Sequence, residues 1–216
     1  MFYDFAKRFI DIIGSLLALI LCFPLIAIFA VLIKLTSSGP IFYTPTRVGK
    51  DGRLFKMLKF RSMHMYRIRG KTVHARQYLE NNPKLKKQYQ ENSFKLTNDP
   101  RITPIGKILR RFSIDELPQL VIVLKGDMSL VGPRAYQPDE LKHQQIVFPQ
   151  TKKFAKIILV ARPGASGPWQ VSGRSHINFD KRAQMDAVYV KRRSIVYDLW
   201  IIAKTPFSMI IGTGAI

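Results

Sequence analysis

Cysteine is almost absent: Cys22 stands alone, so no intramolecular disulfide framework can form and no thiolate-rich metal site can be assembled. Histidine is scarce as well. His64, His74, His143 and His176 are scattered without an H-x-x-x-H pair, which leaves a zincin-type site unsupported. Acidic residues are few, 14 Asp and Glu against 35 Lys and Arg, giving a formal charge of +21 and a pI near 10.4. That imbalance points to polyanionic partners: nucleic acid, anionic lipid headgroups or phosphorylated substrates. Internal repeats and low-complexity tracts are missing. What is present is ample material for a packed interior, 47% hydrophobic and 11% aromatic residues in 216, which excludes global disorder. The length suits one domain, or a domain plus an appendage.

Residues 12–33, IIGSLLALILCFPLIAIFAVLI, carry no charge, and at about 1.5 Å per residue they could cross a bilayer core of roughly 30 Å. Two features oppose a simple crossing. Pro24 lies near the middle, where it removes a backbone hydrogen bond and bends or breaks a helix. Basic residues flank both ends, Lys7 and Arg8 before and Lys34, Arg47, Lys50 and Arg53 after, so both ends prefer the cytoplasm. A re-entrant hairpin bent at Pro24 satisfies both flanks; a spanning helix remains the alternative. The run exceeds a usual signal-peptide core and no A-x-A site follows it. Asp11 is placed to pair with Lys7 and Arg8 on a helix at the water interface.

Beyond Lys34, turn signals at residues 37–40 and 50–52 alternate with short β-prone runs at 41–43 and 54–58, which reads as a small β-hairpin unit against the membrane segment. Residues 66–95 form a polar surface excursion, with helix favoured over 75–80 and 83–91. Apolar residues recur at helical spacing over 105–112 and again over 118–125. Residues 151–160 and 188–211 interleave basic with aromatic and aliphatic side chains. Such segments suit helices lying in the headgroup plane, or else core-facing helices with a solvated basic face.

Between the two short helices lies Ser113-Ile114-Asp115-Glu116-Leu117-Pro118, an acidic pair in a basic neighbourhood. Ser113-x-x-Glu116 fits a capping box, which makes a well-capped helix one reading. Pro118 would then sit inside that helix; a start at Pro118 suits proline better and leaves Asp115 and Glu116 just outside the N-terminus. The other reading is catalytic. A carboxylate can attack phosphorus and split one displacement into two, provided cations neutralise the transferring group. Asp115 and Glu116 could share a metal, and Lys59, Arg61, Arg110, Arg134 and Arg174 are candidate phosphate clamps.

Five blocks in register, KRFIDIIGSLLALILCFPL, GPIFYTPTRVGKDGRLFKMLKFRSM, NDPRITPIGKILRRFSIDELPQL, LKGDMSLVGPR and RPGASGPWQVSGR, give the chain its resemblance to the bacterial sugar transferase family, the monotopic polyprenyl-phosphate phosphoglycosyl transferases. The resemblance implies an α+β, mainly helical monotopic membrane protein with an N-terminal re-entrant helix-break-helix, a small β-hairpin and interfacial amphipathic helices. Residues 1–36 would be the membrane hairpin and 37–216 the catalytic domain, facing the cytoplasm at the bacterial inner membrane. It further implies transfer of a sugar 1-phosphate, with a hexose favoured, from a UDP-sugar to polyprenyl (undecaprenyl) phosphate, releasing UMP and starting surface-polysaccharide synthesis. On this resemblance Asp115 is the nucleophile that carries the phosphosugar, Glu116 its metal-binding or acid–base partner, Mg²⁺ the cofactor, and Lys59, Arg110, Arg134 and Arg174 the phosphate-handling residues. Membrane lipid is an expected partner, nucleic acid is not, and a homodimer is left open. Two departures stand out: Phe23 replaces the serine usual before the re-entrant proline, and PGASG replaces PGITG. The alternatives are the same reaction with an N-acetylamino-sugar donor, a non-enzymatic basic membrane- or nucleic-acid-binding protein, and a catalytically silent membrane scaffold.

Overall fold

A computed structural model describes residues 2–68, 70–92, 96, 99–173 and 177–211. The chain opens with one helix, α1 (Phe2–Thr36), that keeps its helical assignment through Pro24. The expected helix-break-helix is therefore not an interruption: a proline can bend a helix at one lost hydrogen bond while the remaining ladder persists. Only 6% of its most apolar 18-residue window is buried, so α1 is not the core helix of a soluble protein. Phe2, Phe5, Ile20, Leu21 and Leu35 are each more than 60% exposed, an unfavourable arrangement in water and a favourable one in lipid.

Both ends of α1 are fastened to the same body. Near the N-terminus Arg8 donates to the carbonyls of Val123 and Leu124, both at 2.7 Å, and Asp11 accepts from Ser129 Oγ and the Leu130 amide. Asp11 does pair with Lys7, at 3.5 Å, but Arg8 turns away to cap another helix. Near the C-terminus Phe29 and Ile33 pack with Phe60, Leu109 and Ile114.

The hairpin unit is built as expected from local turn chemistry: β1 (Phe42–Tyr43) pairs antiparallel with β4 (Lys59–Phe60), and β2 (Thr46–Val48) with β3 (Leu54–Lys56) across the Lys50–Gly52 turn. In the excursion, α2 (Ala75–Glu80) and α3 (Pro83–Glu91) fall where sequence places them, preceded by a further hairpin of β5 (Met65–Ile68) and β6 (Lys71–His74). Then come α4 (Pro104–Arg111), α5 (Gln119–Lys125) and β7 (Ser129–Val131), followed by α6 (Pro138–Val147) and α7 (Thr151–Ile158). β8 (Gly164–Ser166) returns to pair in parallel with β7. The chain closes with α8 (Phe179–Arg192) and α9 (Ile195–Ile211).

The helices expected at the headgroup plane divide into two kinds. α7 turns Ile158, with Phe154 and Ile157, inward onto Tyr136, Phe179 and Ala183 while Lys152, Lys153 and Lys156 stay exposed, so it is a core-facing helix with a solvated basic face. α9 is the opposite case. It buries Ile201 but exposes Val196, Leu199, Trp200, Phe207 and Ile210, an apolar surface continuous in character with α1.

Candidate functional site

α4 is capped by Thr103, whose Oγ1 accepts from the Gly106 amide, and it stops at Phe112. Ser113 then takes a left-handed conformation at φ 55°, and Ile114–Glu116 form a single 3₁₀ turn. Ser113 makes no capping bond there, so the capping box read from Ser113 and Glu116 does not form. Pro118 takes helical angles immediately ahead of α5, as its fixed φ allows. The turn is held by Ile114, buried in the cluster with Phe29, Ile33, Phe60 and Leu109, which fixes where the next two side chains point.

Those side chains meet Lys59, brought in by β4. Its Nζ lies 2.5 Å from Glu116 Oε1 and 3.7 Å from Asp115 Oδ2. Asp115 is buried, at 8% exposure, whereas the Glu116 carboxylate is about a third exposed. Burial raises the Asp115 pKa above the ordinary carboxylate value; Lys59 and Arg110 oppose that rise and Glu116 adds to it. Arg110 is positioned from α4 by an Nε bond of 3.0 Å to Ser62 Oγ. Asp115, Glu116, Lys59 and Arg110 thus come together from three separate elements.

Arg61 does not join them as a clamp. Its guanidinium donates to the carbonyls of Pro40, Ser38 and Ser37, at 2.6, 2.5 and 3.0 Å, and so ties β4 to the end of α1. Arg174 lies outside the described residues. Arg134 sits in a second basic group that sequence reasoning passed over. It lies 5.2 Å from the Trp169 ring and 3.6 Å from Glu140, and Arg182 lies 4.8 Å from the same ring. Burial first, and the charge of Arg134 second, pull the Arg47 and Arg182 guanidiniums down to about 10. Arg47 Nε and Nη1, Arg134 Nε and Arg182 Nε have no hydrogen-bond partner among the described residues, although such buried donors are ordinarily paired. Arg47 had registered only as a flank of the apolar run. Arg182 carried no local signal, because α8 brings it from far along the chain.

Two cavities flank this region, one reaching Glu116 and the other reaching Arg110 but neither carboxylate of the pair. One, of about 560 Å³, is apolar and runs between α1 and α9, reaching Ser113 and Glu116. The other, of about 330 Å³, is polar and is shared by Arg47, Arg76, Arg101 and Arg110 with Tyr43 and His74. Among the described residues no group of three or more His, Cys, Asp or Glu could cage a metal. Two adjacent carboxylates do fit Mg²⁺, which commonly takes one or two carboxylates and completes its shell with water and substrate phosphates.

Residues 2–212 match the family model described as bacterial sugar transferase. The chain is 41% identical over 211 residues to the galactosyl transferase CpsE of Streptococcus agalactiae, covering 97% of this chain and 43% of the relative. It is also 41% identical over 212 residues to the undecaprenyl-phosphate galactose phosphotransferase of Salmonella typhimurium, covering 98% and 42%. With the exopolysaccharide production protein ExoY of Sinorhizobium fredii the identity is 37% over 210 residues, covering 97% and 88%. The chain thus spans under half the length of the first two relatives and most of the third. On a match that runs from α1 through α9, this chain belongs to the bacterial sugar transferase family.

Proposed function

We propose that this chain transfers a sugar 1-phosphate, a hexose 1-phosphate in the first instance, from a UDP-sugar to polyprenyl phosphate through a covalent intermediate on Asp115, and so starts surface-polysaccharide synthesis. The observation that carries the reading is the buried Asp115 beside Lys59, in a turn with Arg110 on one side and an apolar cavity on the other. Galactose in the names of two relatives supports the hexose.

An oxygen of the ionised Asp115 attacks the sugar-bearing phosphorus. The bond from that phosphorus to the bridging oxygen breaks, and UMP leaves with the electron pair. An oxygen of polyprenyl phosphate then attacks the same phosphorus, the bond to Asp115 breaks, and the carboxylate is restored. Lys59 and Arg110 offset charge on the transferring group. Mg²⁺ held by Asp115 and Glu116 would lend further positive charge there. The polar cavity, lined with arginines, suits the nucleotide diphosphate.

Residues 1–36 act as a re-entrant membrane hairpin, with the remainder on the cytoplasmic face of the inner membrane. Support comes from the two anchors of α1. Straight, residues 8 and 33 would stand roughly 37 Å apart, whereas Ile114 and Val123, which their neighbourhoods touch, are joined by one 3₁₀ turn, the Leu117–Pro118 turn and the start of α5. A bend at Pro24 reconciles the two lengths.

Purified protein supplied with Mg²⁺, polyprenyl phosphate and radiolabelled UDP-glucose, UDP-galactose or their N-acetylamino counterparts should yield labelled lipid. Asp115→Asn should abolish it, and donor alone should add a sugar phosphate to the intact mass of the wild type. Full activity of Asp115→Asn would end the nucleophile assignment.

A further inference from the structure

At the N-terminal end of α1 lies a polar cavity of about 150 Å³, lined by no residue of the carboxylate turn. Four cations from four separate segments meet there: Lys7 of α1, Lys50 of the turn between β2 and β3, Arg162 after α7, and Arg193 at the end of α8. The Asp51 amide donates to the Leu159 carbonyl at 2.6 Å, which holds the Lys50 turn against the end of α7. Only two acids, Asp4 and Asp11, face these four cations across the cavity. Asp11 is already engaged by Ser129 Oγ, the Leu130 amide and Lys7, and Lys7 also reaches Asp198 at 3.1 Å. Asp4 stands 3.5 Å from Arg193, whose guanidinium lies over the Tyr3 ring. Lys50 and Arg162 are exposed and have no ion pair or side-chain hydrogen bond among the described residues.

Charge alone would describe a solvated basic patch, but the rim of this cavity is apolar. Val160 forms part of its wall and is exposed, and Phe2 and Phe5 on the first turns of α1 and Val196 and Trp200 on α9 turn outward as well. Cations gathered where exposed apolar surface begins mark the depth of lipid headgroups. At about 150 Å³ the cavity falls below the roughly 300–1,000 Å³ common for ligand pockets, so it suits one anionic group and not a whole nucleotide. We infer that it holds the phosphate of an anionic glycerophospholipid of the phosphatidylglycerol kind, whose acyl chains lie along the exposed apolar start of α1. Lys50 and Arg162 donate to the phosphate oxygens, and Arg193 closes the site from α8. A choline headgroup would bring its own cation against these three, which disfavours zwitterionic lipid. The bound lipid joins α1, the Lys50 turn and α8 at the end of the chain that Arg8 and Asp11 already fasten, and so stabilises the folded protein by mass action. Nothing in this site depends on Asp115.

The test offers the full chain in detergent equal amounts of short-chain phosphatidylglycerol and phosphatidylcholine and reads the retained lipid by native mass spectrometry. One phosphatidylglycerol should be kept in preference to phosphatidylcholine. Lys50→Glu combined with Arg162→Glu should reduce that retention by about tenfold or more. Lys152→Glu combined with Lys153→Glu, the same change in charge on the exposed face of α7, should change it by less than about twofold. Glycerol phosphate and inorganic phosphate at matched concentration should not displace the lipid. Equal retention of the two lipids, equal loss in the two double variants, or displacement by either soluble phosphate would overturn the lipid site. Should the first double variant fail to fold, wild-type protein in nanodiscs with phosphatidylglycerol bearing a headgroup diazirine decides. Label on Lys50 and residues 160–162 supports the site, and label spread over α7 instead rejects it.

Discussion

At the scale of single residues, the proposed mechanism requires Asp115 to serve as an anion although burial favours its neutral form. With its pKa raised, the reactive carboxylate is present above that pKa and is lost as pH falls through it, so kcat/KM should decline on the acid side. Lys59 is the largest influence holding the pKa down. Lys59→Met should therefore move the acid limb to higher pH, in addition to lowering kcat by on the order of 10²-fold through lost charge stabilisation; an acid limb that stays put would refute the coupling. Asp186 offers a stability test with the same sign logic. Fully buried on α8, it accepts from the Arg134 amide and Tyr136 Oη, yet burial pushes its carboxyl up to about 7. The folded chain then keeps a proton that the unfolded chain releases near pH 4, so stability falls as pH rises from about 4 to 7 and levels off above. Asp186→Asn should flatten that slope in melting temperatures measured across the interval. An unchanged slope would mean that Asp186 titrates normally.

At the scale of elements, the site depends on how closely α4 approaches the strand carrying Lys59. Gly106 makes that approach possible: a Cβ there would strike the Ser62 carbonyl oxygen, a backbone atom that cannot swing aside. Gly106→Ala should destabilise by about 1–3 kcal/mol and reduce activity by displacing Arg110 from Ser62, whereas exposed Lys107→Ala should change stability by no more than about 0.5 kcal/mol. Thermal melts of the two variants would separate close approach from helix propensity, which favours alanine at both positions. The same contrast explains what could be read before the fold was known. The β2–β3 hairpin, α2, α3 and the two helices around Asp115 were legible because turn residues, caps and 3.6-residue spacing are local signals. The acidic pair stood out in the sequence by its charge, and Lys59 and Arg110, candidates by residue type alone, are brought beside it by the fold. The parallel pairing of β7 with β8 was not, since it joins segments separated by α6 and α7. Nor was the turn over to backbone carbonyls that occupies Arg61, because composition counts a guanidinium without saying what it faces. The Arg47, Arg134 and Arg182 group assembles only when β2, the segment after β7, and α8 meet.

At the scale of the whole molecule, a strong positive charge and a large exposed apolar surface coexist by being separated, the latter concentrated on α1 and α9. A purely electrostatic membrane association is screened by salt, with a Debye length of only about 3 Å at 1 M, while burial of apolar helix surface is not. High salt should therefore leave the protein in the membrane fraction and detergent should release it; release by salt would favour a peripheral basic protein. The path of α1 sets a stricter test. Arg8 and Asp11 at one end, and Phe29 and Ile33 at the other, hold the helix to one polar body that cannot sit on both sides of a bilayer. In a Cys22→Ala background, Ala6→Cys and Thr36→Cys should thus react with an impermeant maleimide from the same face, the cytoplasmic one, and both should be protected in sealed cells. Reaction of the two positions from opposite faces would require α1 to cross, and with it the anchors at one end to be broken.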